Sequence, residues 1–116
     1  MTFEQADKLF LMILDCYYSQ NYMPSEKAQK NILETLATGR FVTRIKGGQV
    51  LWYAGYTEQS QSMYVVEAVN CIGIKGCIET GRALKRKMPH MQGALWHRPV
   101  KDKRLRHYPK AKGERI

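Results

Sequence analysis

The sequence lacks a long hydrophobic run. Its longest uninterrupted apolar stretch, Leu9–Leu14, has six residues, whereas a helix that crosses a bilayer needs about 20. The stretch has no basic leader and no small-residue cleavage site, so it does not match a secretory signal. We therefore expect a cytoplasmic protein without a membrane span.

Cysteine is scarce, and its spacing follows no known pattern. Three cysteines occur, Cys16, Cys71 and Cys77, and no C-x-x-C is present. An odd number of cysteines on apolar stretches predicts reduced, buried thiols. The three histidines fit no zinc-ligand spacing. The sequence therefore predicts neither a disulfide framework nor a metal site.

Acidic residues are nearly absent from the last third of the chain. Residues 1–81 carry a net charge of −1, whereas residues 82–116 carry +10. Such asymmetry predicts an anionic partner: a nucleic acid, a phosphorylated cofactor or an acidic protein surface. The alternative is a solvated basic face. The candidate anion-binding residues are Arg82, Lys85, Arg86, Lys87, Arg98, Lys101, Lys103, Arg104, Arg106, Lys110 and Lys112.

Helical signals dominate the first forty residues. Thr2 and Gln5 have the form of a capping box, and apolar residues follow at helical spacing, which predicts a helix over residues 3–19. Ser25 is placed to cap a second helix, and Gly39 is placed to end it in the left-handed conformation. The apolar face of that helix should include Leu33.

Strand signals follow. Gly47 and Gly48 separate two β-branched and aromatic segments and predict a hairpin. Tyr56–Ser62 reads as a loop or a frayed strand end, and Met63–Val69 as a central strand buried on both faces. We predict a helix from Gly76 to Met88, with Ile78, Ala83 and Leu84 inward. Two further strands are predicted over residues 93–98 and 104–108.

Together these elements predict an α+β fold. It has two N-terminal helices, a central, mostly antiparallel sheet of about five strands, and one crossover helix after the central strand. At 116 residues the chain is expected to form one domain, over residues 1–108. Residues 109–116 are predicted to be a flexible basic tail.

The turn between the Met63–Val69 strand and the next helix is a candidate anion site. A glycine-rich turn into a helix start offers free backbone N–H groups, and Lys75 would add a full positive charge. The alternative is that Gly73 and Gly76 only permit a tight connection between the strand and the helix.

Glu67 is the candidate catalytic residue. It interrupts an apolar strand, so burial should raise the pKa of its carboxyl group towards the range of a general base. The alternative is a structural Glu67 that faces the edge of the sheet or forms a salt bridge, for which Arg44 is the candidate cross-strand partner. Tyr64 should lie on the opposite strand face.

The order of elements resembles that of the GNAT superfamily of N-acetyltransferases, including its compact toxin-activating and phage-encoded branches. The most similar part is Tyr64–Arg98: a strand, a glycine turn, a helix and a strand. In that family the turn carries Gln/Arg-x-x-Gly-x-Gly/Ala and binds the pyrophosphate of acyl-CoA. Here Asn70 stands at the first position, Gly73 at the central glycine and Lys75 at the last small residue.

The resemblance implies a protein that binds acetyl-CoA or another acyl-CoA through Asn70, Gly73, Ile74, Lys75 and Gly76. Its function would be N-acyl transfer, with Glu67 deprotonating an amine. If the chain is phage-encoded, it would act in the host cytoplasm or the virion. The alternative is a non-catalytic phage structural or accessory protein that binds nucleic acid or an acidic partner through its basic C-terminal segment.

Overall fold

Two helices open the chain where their caps predict them. The computed structural model describes residues 1–59, 62–89 and 94–96. Helix α1 spans Phe3–Ser19, and the Thr2–Gln5 capping box is formed in both directions. Helix α2 spans Glu26–Thr38; Ser25 caps its start, and Gly39 ends it with φ 74°. Both predicted helices are confirmed, although Leu33 is exposed, and Thr35 takes a buried place on α2 instead.

Three antiparallel strands form the sheet that the helices cover. They are β1 (Phe41–Lys46), β2 (Gln49–Gln59) and β3 (Ser62–Asn70), and β2 lies between the other two. Gly47 and Gly48 form the two-residue turn between β1 and β2 with φ 60° and 74°, the left-handed conformation that such hairpins require. The predicted hairpin is confirmed.

The predicted sheet of about five strands with a crossover helix is wrong. The antiparallel sheet has three strands; the three-residue β4 (Ala94–Trp96) adds to it in parallel beside the start of β3. A single helix, α3, follows β3 in the part of the chain that the structure describes. The predicted loop at Tyr56–Ser62 is largely strand, because β2 continues to Gln59 and pairs with β3 up to that point. The predicted fifth strand over residues 104–108 and the tail over 109–116 lie outside the described residues.

Strand β3 lies between β2 and β4, and a bulge interrupts its pairing with β2. Its register with β2 shifts between Gly55 and Tyr56: Gly55 opposes Glu67, whereas Tyr56 opposes Val65. Val66 is therefore an extra residue on β3, a β-bulge. The bulge changes which face of the sheet each residue of β3 occupies.

The core has two layers, one on each face of the sheet. On the α1/α2 face, Ile13, Ile32, Tyr53 and Val69 belong to one buried cluster. On the α3 face, Ala54, Tyr56, Met63, Val65 and Leu84 form another. The sheet thus separates α1 and α2 from α3, and each face buries apolar side chains against helices.

Helix α3 spans Ile74–Lys87, with Gly76, Thr80 and Leu84 buried. The prediction that Ile78 points inward is wrong, because Ile78 is 49% exposed. Glu79 anchors α3 to the sheet instead. Its carboxylate accepts hydrogen bonds from the Arg44 guanidinium over 2.6 and 2.7 Å and from the Trp52 indole over 2.9 Å.

Candidate functional site

The turn from β3 into α3 is built by the Asn70 side chain. Its amide donates to the Gly73 carbonyl and to the Cys77 sulfur, and its Oδ1 accepts from the Ile72 amide over 2.9 Å. Asn70 is only 6% exposed. Of the five residues predicted to bind a cofactor, Asn70 therefore shapes the turn from within, and its side chain is not presented to solvent.

Gly73 and Gly76 meet two different requirements of this turn. Gly73 has φ 70° and ψ −147°, a conformation that side chains disfavour, and a Cβ there would meet nothing within 4 Å. Gly76 does not have a positive φ, but a Cβ there would overlap Asn70 Oδ1. Gly73 therefore allows the bend, and Gly76 allows α3 to approach β3.

The start of α3 is left without a side-chain cap. Thr2 caps α1 and Ser25 caps α2, whereas the N-cap of α3 is Gly73, which has no side chain to accept a hydrogen bond. The first turn of α3 holds no acidic residue, and both Ile74 and Lys75 are exposed. The first amides of a helix have no acceptor within it and carry a partial positive charge. This end of α3 therefore suits an anion.

Strand β3 carries a bulge close to this turn. The described residues of β4 pair with Met63, Tyr64 and Val65, which precede the bulge at Val66. From the bulge at Val66 to Asn70, β3 pairs with β2 alone among the described residues. Bulges of this kind are frequent beside active sites. The bulge thus lies between the residues of β3 that pair with β4 and the start of α3.

Glu67 lies one residue after the bulge and faces α1 and α2. Its Oε1 accepts a hydrogen bond from the Tyr17 hydroxyl over 3.3 Å. Burial raises the pKa of the Glu67 carboxyl, while hydrogen bonds from Asn31 and Tyr17 and the nearby Lys27 oppose that rise. The raised pKa that the sequence predicts for Glu67 is confirmed. Its role in catalysis stays a prediction.

Two of the predictions about the surroundings of Glu67 are wrong. Arg44 does not pair with it, because Arg44 forms its salt bridge with Glu79 on the other face of the sheet. Tyr64 does not lie on the opposite face, because the bulge at Val66 cancels the alternation of side chains between residues 64 and 67. No local pattern in the sequence pointed to Tyr17 or Asn31, since both are far from Glu67 along the chain.

A shallow polar cleft opens beside this carboxylate. It has a volume of about 30 Å³, room for roughly one water molecule. Asn31, which hydrogen-bonds Glu67, borders it, as do the bulge residue Val66 and the side chains of Glu34 and Arg40. The remaining lining residues are Thr35, Thr38, Tyr56 and Thr57. The cleft thus offers hydroxyls and charges of both signs; Glu67 itself does not line it, but its chain neighbour Val66 does.

The basic residues predicted to bind anions divide into two groups. Arg82, Lys85, Arg86 and Lys87 lie on α3, and all four are exposed. The other candidates lie outside the described residues: Arg98, Lys101, Lys103, Arg104, Arg106, Lys110 and Lys112. Among the described residues, no group of three or more metal-ligating side chains comes together, and none of the helices there is both long and apolar enough to cross a membrane.

A solved structure resembles this chain in fold. A mutant of TTHA1254 from Thermus thermophilus matches it with a TM-score of 0.54 and 14% sequence identity. The match covers 91% of this chain and 78% of that chain. No family model and no curated protein matches. At this identity the likeness concerns the fold alone.

Proposed function

We propose that this protein is an acyl-CoA-dependent N-acyltransferase of the GNAT type. The observation that carries the proposal is the uncapped start of α3, which follows the bulged strand β3. An acyl-CoA supplies an activated thioester and a pyrophosphate. The pyrophosphate would bind the first amides of α3, and the acyl arm would lie along β3.

Three features of the turn support the phosphate site. The backbone amides at the start of α3 supply donors, and the helix adds a partial positive charge. Exposed Lys75 contributes a full charge, while the first turn of α3 has no carboxylate to repel an anion. Gly73 leaves the approach open, since a side chain there would meet nothing within 4 Å.

Glu67 would receive the proton of the acceptor amine. Burial raises the pKa of this carboxyl, which makes the ionised form a stronger base than an ordinary surface glutamate. Tyr17 donates to Oε1, and this hydrogen bond fixes the orientation of the carboxylate. The acceptor amine would lie in the adjoining cleft, where Glu34 favours a cationic group and Arg40 an anionic one.

Calorimetric titration with acetyl-CoA tests the proposal. We expect binding, and we expect Lys75→Gln to weaken it about fivefold, the effect of one screened charge at contact distance. Lys87→Gln, at the other end of α3, is the matched control and should bind like the unchanged protein. No heat of binding at millimolar acetyl-CoA would contradict the proposal.

A second candidate function rests on the basic C-terminal segment, residues 82–116, of which the basic surface of α3 is the described part. Arg82, Lys85, Arg86 and Lys87 are all exposed within the last two turns. In this alternative the protein is non-catalytic, a structural or accessory protein of a phage, and it binds nucleic acid through the phosphate backbone. A salt-dependent affinity for nucleic acid without any affinity for acetyl-CoA would favour this alternative.

A further inference from the structure

Two of the three cysteines come together on the α1 side of the sheet. Cys16 lies on α1, and Cys71 directly follows β3. Both sulfurs face the carbonyl oxygen of Leu51: Cys71 Sγ donates to it over 3.3 Å, and Cys16 Sγ lies 4.0 Å from it. Because both sulfurs lie within 4.0 Å of the same carbonyl oxygen, the two thiols are neighbours.

The backbone holds this pair in place. The Cys71 amide donates to the same Leu51 carbonyl over 3.0 Å, so both the main chain and the thiol of Cys71 are bonded to one acceptor. Cys16 sits in the middle of the core that α1 forms with the sheet. Neither cysteine is on a free end or a long loop, so the fold keeps the two thiols near each other.

The two thiols differ in access to solvent. Cys71 is half-buried, whereas Cys16 is 1% exposed. Burial raises the pKa of the Cys16 thiol, and the neighbouring Cys71 raises it further. A dissolved oxidant therefore reaches Cys71 first, and Cys16 reacts second and more slowly.

We propose that Cys16 and Cys71 form an intramolecular disulfide when the protein meets a small-molecule disulfide such as oxidised glutathione. The Cys71 thiolate attacks one glutathione sulfur, forms a mixed disulfide and releases one glutathione thiolate. The Cys16 thiolate then attacks the Cys71 sulfur and releases the second glutathione. Two protein thiols lose two electrons and two protons, and one glutathione disulfide becomes two glutathione thiols.

The bond would tie α1 to the turn that precedes α3. Cys71 lies between Asn70, which organises that turn, and Gly73, which begins the helix. The oxidised protein would thus hold the end of β3 against α1 through a covalent link. The reaction needs no acyl-CoA, and so its outcome is independent of the proposed acyltransferase function.

Peptide mapping by mass spectrometry tests the proposal on the folded, full-length chain after incubation with oxidised glutathione. We expect a peptide pair joined through Cys16 and Cys71, with Cys77 in no protein disulfide. Cys77→Ser is the matched control and should give the same linked pair. Cys16→Ser should instead retain a stable glutathione adduct on Cys71, because the second thiol is missing.

Several results would overturn the assignment. These are no reaction, a lasting adduct on Cys71 in the unchanged protein, a bond that includes Cys77, or a dimer on a non-reducing gel. Formation of the Cys16–Cys71 bond only in urea would also overturn it, because the folded protein would then not bring the two thiols together. Mapping the unchanged protein decides the question even if a serine variant fails to fold.

Discussion

Gly76 and Gly81 are glycines of the same helix with opposite surroundings. A Cβ at Gly76 would overlap Asn70 Oδ1, whereas a Cβ at Gly81 would meet nothing within 4 Å. We expect Gly76→Ala to lower the free energy of unfolding by about 1–3 kcal/mol, because the Asn70 side chain must move. Gly81→Ala, the matched control, should raise it by up to about 1 kcal/mol through better helix propensity. Urea unfolding measures both, and equal effects would contradict this account of the turn.

Glu67 and Glu79 are partly buried carboxylates whose surroundings act in opposite directions. Burial raises the pKa of Glu67 above its ordinary value of 4.5. The hydrogen bonds from Arg44 and Trp52 lower the pKa of Glu79 below the same value. A raised carboxyl pKa favours folding only while the group is protonated, and a lowered one favours folding only while it is ionised.

The pH dependence of stability should therefore separate these two residues. As pH rises through and above 4.5, ionised Glu67 becomes a cost to the folded state, so Glu67→Gln should gain stability relative to the unchanged protein. Glu79→Gln should instead lose relative stability as pH rises from below towards 4.5, because ionised Glu79 stabilises the fold. Urea unfolding at a series of pH values measures both, and slopes of the same sign would contradict the assignment.

At the scale of the elements, the hairpin turn between β1 and β2 constrains the backbone conformation but not the space for a side chain. Gly47 and Gly48 have positive φ, and neither would have a neighbour within 4 Å of an added Cβ. We expect Gly47→Val to cost about 1–2 kcal/mol, the penalty of the left-handed conformation. Gly47→Asn should cost clearly less, because asparagine tolerates that conformation. Equal losses in urea unfolding would show that the turn does not impose it.

Elements whose signals lie within a few neighbouring residues could be predicted from the sequence. Features that depend on the pairing of distant strands could not. The caps at Thr2, Ser25 and Gly39 and the glycine turn act over a few residues, and the structure follows them. The length of β2 and the place of β3 in the sheet depend on partners distant in sequence. A polar stretch such as 56–62 reads as a loop until the pairing of β2 with β3 is known.

The candidate site shows the same division. The turn at Gly73 and the desolvation of Glu67 were visible in the sequence, because each needs only its immediate neighbours. The bulge at Val66 was not, since a bulge is defined by the register of two strands. The contact of Tyr17 with Glu67 and that of Cys16 with Cys71 arise only when α1 packs on the sheet.

At the scale of the whole molecule, the net positive charge is concentrated in the last third of the sequence. Residues 1–81 are nearly neutral, and residues 82–116 carry a net +10. Part of this charge has a local use, because Lys85, Arg86 and Lys87 in the last turn of α3 complement the negative end of the helix dipole. That use does not account for the excess that follows after α3, which favours an anionic partner.

The salt dependence of binding to a labelled single-stranded DNA tests this view. If about six phosphates are neutralised, the logarithm of the affinity should fall with the logarithm of salt concentration with a slope of about −5. Deletion of residues 99–116 should abolish binding and leave the circular dichroism of the fold unchanged. Arg86→Gln on α3 should reduce the slope by about one, because one phosphate contact is lost. Lys8→Gln, in the near-neutral part of the chain, should leave the slope as it is.

Two outcomes would change this conclusion. Competition by polyglutamate at equal ionic strength would identify an acidic protein surface as the partner. Binding that survives the deletion would contradict a role for the basic segment.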